Sequence, residues 1–225
     1  MANKKGIDYQ GRIFWTTTSN NLNLRVGCNA MTTLQTTQLI TFLKDKNILF
    51  DNGLNDVEFL QVEQKFNLCF PPDLKIFLQT GLPISDKFPN WRKALTDTQT
   101  ADIINERLEE PLSGVLFDIE HNNFWTTELW GELPNTLQQK LSIATDNLKD
   151  YPKLIPIFAH RYISGEPNEN DNPIYSVYQT DIIYYGYDLA SYLANEFGFA
   201  LTHDFELLDK PKREIKFWCW CVENN

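Results

Sequence analysis

The chain predicts a single α+β domain, with a mainly antiparallel sheet flanked by helices. Its 225 residues suffice for one well-buried core. A composition that is 42% hydrophobic and 13% aromatic excludes a disordered chain. Short β-rich runs are interrupted by helical periods without regular βαβ alternation, the pattern of α+β rather than doubly wound proteins. No uninterrupted apolar run approaches the roughly 20 residues that a membrane helix needs. MANKKGIDYQGR has two lysines with no apolar segment after them, so neither a secretory signal nor a lipidation site is expected, and cytoplasmic residence is. Cysteines 28, 69, 219 and 221 are scattered and read as buried thiols of a reducing compartment.

Taken in order, RIFWTT and NLNLRV read as a hairpin across Ser-Asn-Asn. Thr33 opens a helix through about Lys46, with Leu39, Phe42 and Leu43 as its apolar stripe. Asn55 and Glu58 form an Asn-type capping box, behind which Phe59, Val62 and Phe66 share one side of a helix. Pro71-Pro72 stops that helix and starts another, because Pro72 suits a first turn whose amide would be unbonded anyway; Leu74, Phe77 and Leu78 face inward and Gly81 terminates. Asp102 to Leu108 predicts a short helix closed by Pro111, and Gly114 to Ile119 a strand by its β-branched and aromatic content. Leu137, Leu141, Ala144 and Leu148 recur at helical spacing.

The densest stretch is 153–197. Leu154 to Ala159 is a strand whose Pro156 argues for an edge position or a bulge. Ser164 to Asn172 is a polar surface loop, followed by strands at Ile174 to Tyr178 and Ile182 to Tyr185. Asp188 caps a helix with Leu189, Tyr192, Leu193 and Phe197 on one face, and Gly198 ends it. IKFWCWCV is a last strand or a docked tail. The predicted sheet therefore holds segments near 114–119, 154–159, 173–178 and 182–185. Helices near 55–67, 72–80, 135–149 and 188–197 cover it, with residues 1–50 as an extension packed on a domain of 51–225.

Catalytic signals are weak. In FDIEHNNFW, Asp118 and Glu120 sit two apart on a predicted strand and share a face beside His121, the one arrangement suggesting a metal-dependent hydrolase. A continuing strand turns His121 the other way, and Asn122-Asn123 marks a turn in which polar residues need no catalytic role. His203 and Asp204 lack a nucleophile at motif spacing, no Gly-rich phosphate loop or dinucleotide fingerprint occurs, and Cys219-Trp220-Cys221 lacks a second ligand pair for zinc. No catalytic residue, metal or cofactor is predicted, and the expectation is a protein that is not an enzyme. The formal net charge of −10 is spread along the chain, which argues against nucleic acid and is compatible with a basic protein partner. Tyr and Trp are abundant, and both suit interfaces because they bury area while keeping a polar tip.

Several blocks together, VEQKFNLCFPPDLKIFLQTG, FPNWR, GVLFDIEHNNFW with Trp130-Gly131, PKLIPIFAHRYI and NPIYSVYQTDIIYYGYDLASYLANEF, resemble the SUKH superfamily across roughly residues 54–197 in order. That superfamily includes fungal cell-wall-assembly regulators and many bacterial immunity proteins. The resemblance implies a helix-flanked sheet, no established catalytic activity, and a non-catalytic binding module, foremost an immunity protein that neutralises a bacterial toxin domain. The alternative it implies is a regulator or scaffold of cell-envelope or signalling proteins. The chain departs from the family's Asn-Gly-Gly after the second helix, where Thr80-Gly81 stands. The expected partner surface comprises Trp91, Arg161, Glu166, Asp171 and Tyr178, with acidic loop residues as acceptors and exposed aromatics as anchors.

Overall fold

This computed structural model describes residues 31–224, together with the backbone of two upstream strands, β1 (Lys4–Ile7) and β2 (Ile13–Thr16). RIFWTT supplies β2 but pairs with β1, Lys4 opposite Thr16. NLNLRV and Cys28 lie outside the described residues. Helix α1 (Thr33–Asp45) starts behind Thr32, whose side chain accepts from Gln35 N while the Gln35 side chain accepts from Thr32 N. Its Leu39, Ile40 and Leu43 are buried, and β3 (Leu49–Asp51) pairs antiparallel with β4 (Leu82–Ile84). Helix α2 (Asp56–Phe66) carries the predicted box: Asn55 Oδ1 accepts from Val57 N and Glu58 N, and Glu58 Oε2 accepts from Asn55 N at 2.9 Å. Helix α3 (Pro72–Thr80) has its proline in the first turn and buries Leu74, Phe77 and Leu78.

After the short α4 (Trp91–Ala94), the predicted helix and strand around Pro111 are one 24-residue helix, α5 (Thr98–His121). The strand near 114–119 does not form. Its six residues satisfy either period, and the helical one wins because Leu108, Pro111, Val115 and Ile119 continue a single buried stripe. Pro111 forfeits one backbone hydrogen bond but buries its ring in that stripe. At about 1.5 Å per residue the helix spans about 36 Å, long enough to serve two cores. Ala101, Ile104 and Leu108 belong to the core shared by α1, α2 and α3, whereas Val115 and Ile119 belong to a second. Helices α6 (Thr127–Trp130) and α7 (Leu137–Leu148) pack on that second core through Trp130, Ala144 and Leu148.

The main sheet is four-stranded and antiparallel in the order β5-β6-β7-β8: β5 (Leu154–Phe158), β6 (Arg161–Ser164), β7 (Ile174–Tyr178) and β8 (Asp181–Gly186). Pro156 lies on an edge strand and next to a register shift, so both predicted accommodations are used. Strand β6 is an addition to the expected pattern. A two-residue turn at Ala159-His160 folds the chain back, with Ala159 at φ +46°, and nothing in its composition announces a turn. Contacts from elsewhere hold it: Ala159 N donates to Lys87 O at 2.9 Å and Arg107 Nη2 donates to Ala159 O at 2.6 Å. Alternation divides the sheet between cores, with Ile155, Ile163 and Ile174 facing the first and Leu154, Tyr162, Tyr175, Val177 and Ile182 the second.

Helix α8 (Leu189–Phe197) starts at Asp188, which accepts from Ser191 N, and ends at Gly198 with φ +66°. The C-terminal segment is not a strand. It docks through Ile215 and Phe217 and finishes as α9 (Trp218–Glu223) in the second core. Among the described cysteines Cys219 and Cys221 are buried thiols, Cys221 pushed up to about 12 by burial, whereas Cys69 is exposed, contrary to expectation. Among the described residues, no helix is long and apolar enough to cross a membrane.

One contact tests how β8 meets α8. A Cβ added at Gly186 would lie 2.6 Å from Tyr192 Cβ and 2.7 Å from Tyr192 Cα, so the strand and helix approach each other only because a side chain is absent. Gly186→Ala is expected to destabilise the protein by roughly 1–3 kcal/mol. Urea unfolding checks this, with a lower midpoint at unchanged slope as the expected result.

Candidate acidic pocket

The N-terminal turns of α3 and α8 point two carboxylates toward one another, and the polar loop 165–173 runs between them. Asp73 follows Pro71-Pro72 and is only 3% exposed. Its Oδ1 accepts from Leu74 N at 2.8 Å and its Oδ2 from Asp171 N at 3.1 Å, so it pins the loop. Asp188 is 7% exposed; one oxygen caps α8, accepting from Ser191 N at 2.7 Å, while Oδ2 is buried and has no hydrogen-bond partner. The C-terminal segment closes the far side. Lys212 Nζ lies 3.0 Å from both Asp171 Oδ2 and Glu206 Oε2, and Gln35 Nε2 donates to Asp204 O at 2.6 Å. The pocket between them, open to solvent on one side, holds about 120 Å³ and is lined by five carboxylates, Asp73, Asp171, Asp188, Asp204 and Glu206, against one ammonium, Lys212.

Electrostatics follow from burial. Burial pushes Asp73 up to about 7, against the two backbone amides that hold it down, and the Asp171 and Asp188 charges add to the rise. Asp188 is raised for the same leading reason. Burial works against the Lys212 charge, but Asp171 and Glu206 outweigh it and hold the ammonium above its ordinary range. The loop itself is stapled. Asn172 Nδ2 donates to Ser164 O at 3.1 Å and Pro167 O at 2.8 Å, Arg213 Nε donates to Glu169 Oε2 at 2.9 Å, and Asn168 Nδ2 contacts Cys69 Sγ at 2.5 Å. Its exposed residues, 166–169, are presented on a braced frame beside the pocket.

The five residues expected to form a partner surface are dispersed. Asp171 lines the pocket and Glu166 is exposed on the same loop. Trp91 is 1% exposed and packs edge-on against Phe66 and Phe70 in the first core, so it is no surface anchor; it opens α4 on the apolar side, where its indole fills the gap between α2 and α3. Arg161 does not open onto the loop, because β6 intervenes. It is 9% exposed, with Nε 3.1 Å from Glu196 Oε2, Nη1 donating to Ser176 Oγ at 2.8 Å, and its guanidinium 3.7 Å over the Tyr185 ring. Tyr178 is 70% exposed, as an anchor requires, but it stands at the far end of β7 in a separate recess with His160, Ser176 and Ile183.

The Asp118, Glu120 and His121 cluster loses its shared face once the segment is helical. Asp118 is buried and clasps the β7–β8 turn, its Oδ2 accepting from Thr180 N at 2.8 Å and Thr180 Oγ1 at 2.6 Å, while Glu120 and His121 are exposed. Among the described residues no three His, Cys, Asp or Glu side chains group as a metal would require. The sequence marks none of Asp73, Asp188, Asp204, Glu206 and Lys212 as a site residue, Asp188 being read only as a helix cap and Asp204 only beside His203. The available signals were local, an acid in a first turn and an N-cap, and no spacing links positions 73, 171, 188 and 204.

The chain matches no family model, no curated protein and no solved structure.

Because Asp73 and Asp188 both titrate above their unfolded values, their neutral forms favour folding. That contribution is complete below about pH 4 and is lost as pH rises through the folded value, about 7 for Asp73. The charged groups facing them are Asp171, Asp204, Glu206 and Lys212. Asp188→Asn keeps a good N-cap and removes one of these charges. It is expected to raise stability more at pH 8 than at pH 5, because the charge it removes is one that burial disfavours, read from thermal melts across that range. Equal effects at both pH values would contradict the charge argument.

Proposed function

We propose that this chain is a non-catalytic protein-binding module, an immunity protein that neutralises a bacterial toxin domain by occupying it. One observation carries the reading: a pocket with five carboxylates and one ammonium, bordered by a loop that exposes Glu166 and Glu169. Such a face attracts a basic surface, as a toxin that acts on nucleic acid would carry, and with a net charge of −10 it would speed encounter more than it would set final affinity. The resemblance to the SUKH superfamily over roughly residues 54–197 supports the same class. Free thiols at Cys69, Cys219 and Cys221 suit a cytoplasmic site of action.

The exposed Tyr178 and Ile183 favour a second reading, a regulator or scaffold whose partner docks on the recess at the end of β7 and β8. Co-expression separates the two. With the toxin domain encoded next to this chain, wild type is expected to rescue growth, and Glu166→Lys with Asp171→Lys to lose rescue while remaining folded. Association measured on purified proteins at low salt should slow about ten-fold or more. Rescue that survives the double reversal but fails with Tyr178→Asp would move the partner to the second recess. Absence of any complex with the neighbouring product would remove the immunity reading.

A further inference from the structure

We propose that the void between α3, α8 and the segment 204–212 receives the cationic end of a single lysine or arginine side chain from a protein partner, with Asp188 Oδ2 as its principal acceptor. This deepens the protein-binding reading by naming the group that enters the pocket. Asp188 is the starting point. An oxygen that is buried and unpaired carries a desolvation cost that a donor would recover, and its partner oxygen is already committed to capping α8.

The walls select the kind of donor. Beside Asp73 and Asp188 lie Leu189, Ala190 and Phe205, all buried or nearly so, which can cover the methylene stem of a long side chain while its charged head meets the carboxylates. A bare divalent ion wants oxygen on all sides, and among the described residues no three ligating side chains are grouped for one. The space, about 120 Å³, holds the end of a side chain, whereas sites for whole small molecules run to about 300–1,000 Å³. Lys212 is the internal precedent. An ammonium already sits on this wall, 3.0 Å from Asp171 Oδ2 and from Glu206 Oε2, and Asp188 is not among its ion-pair partners. The pocket thus satisfies one cation from its own chain and leaves Asp188 for another.

The test titrates the full chain, followed by amide NMR shifts, with N-acetyl-arginine amide, N-acetyl-lysine amide and the neutral isostere N-acetyl-citrulline amide. The two cations are expected to saturate, with shifts centred on Ala190, Phe205 and Lys212, and citrulline to bind about ten-fold more weakly or worse. Asp188→Asn should weaken the cations about ten-fold, and Lys212→Met, which removes a competing charge, should tighten them. Citrulline binding equally well, no saturation by either cation, or unchanged binding in Asp188→Asn would each overturn the inference. So would a free diamine such as putrescine binding ten-fold more tightly than the blocked residues, since the ligand would then be a small amine. Shifts in the wild-type chain need no variant, so misfolding of Asp188→Asn leaves the question decided. A partner complex that forms unweakened with folded Asp188→Asn overturns this inference alone. Failure of the wild type to bind any neighbouring product overturns the functional reading, and the blocked amino acids still decide the pocket.

Discussion

Both faces of the β5–β8 sheet carry buried apolar side chains, and most of the fold follows from that requirement. Alternation along each strand sends Tyr162, Tyr175, Val177 and Ile182 to one side and Ile163 and Ile174 to the other. Each side must then be covered by helices with an apolar stripe. The chain meets this with α1, α2, α3 and α8 on one face and α6, α7 and α9 on the other, while α5 is long enough to contribute to both. A one-residue slip in any strand would exchange the two sets of side chains, so register and layer assignment are the same constraint.

The tight points of the molecule lie where those layers meet. Gly186 lets β8 approach α8, and Gly114 lets α5 approach the β7–β8 turn, where an added Cβ would lie 2.8 Å from Gln179 Cα. Asp118 fastens the same turn through both the amide and the hydroxyl of Thr180. A residue that looks catalytic in one dimension thus serves to join a helix to a hairpin. Arg161 is comparable: its charge is spent on Glu196, Ser176 and the Tyr185 ring. Apolar burial and paired charge occupy those positions, whereas Asp188 keeps one oxygen without a hydrogen-bond partner.

The acidic pocket arises from convergence rather than from a motif. Helix N-termini favour carboxylates because their free amides and dipoles are positive, which accounts for Asp73 and Asp188 one at a time. Bringing two such termini together, with a loop and a C-terminal segment that add Asp171, Asp204 and Glu206, concentrates negative charge beyond what local capping needs. Burial first, with the neighbouring carboxylates adding to it, raises the proton affinity of Asp73 and Asp188. Lys212 offsets part of the negative charge from within the chain.

Local chemistry by itself determined much of the fold. The Asn55–Glu58 capping box, the Pro72 start of α3, the Asp188 cap and Gly198 stop of α8, and Pro156 on an edge strand with a shifted register are all short-range effects, decided within a few residues. The polarity of the 164–172 loop, with residues 166–169 exposed, was likewise legible from composition. Only the tertiary structure decided the rest, and in each case the deciding contact comes from far along the chain. GVLFDI fits strand or helix, and it is a helix because its stripe continues Leu108 into a second core. Ala159 turns at positive φ because Lys87 and Arg107 hold it, so β6 was not legible. Trp91 reads as an exposed anchor, yet its indole is core, and the neighbouring Arg92 binds Glu58 and Asp51. The pocket joins residues 73, 171, 188, 204 and 212. No pattern in one dimension brings these together, because their proximity is produced by two helix starts packing against the same loop.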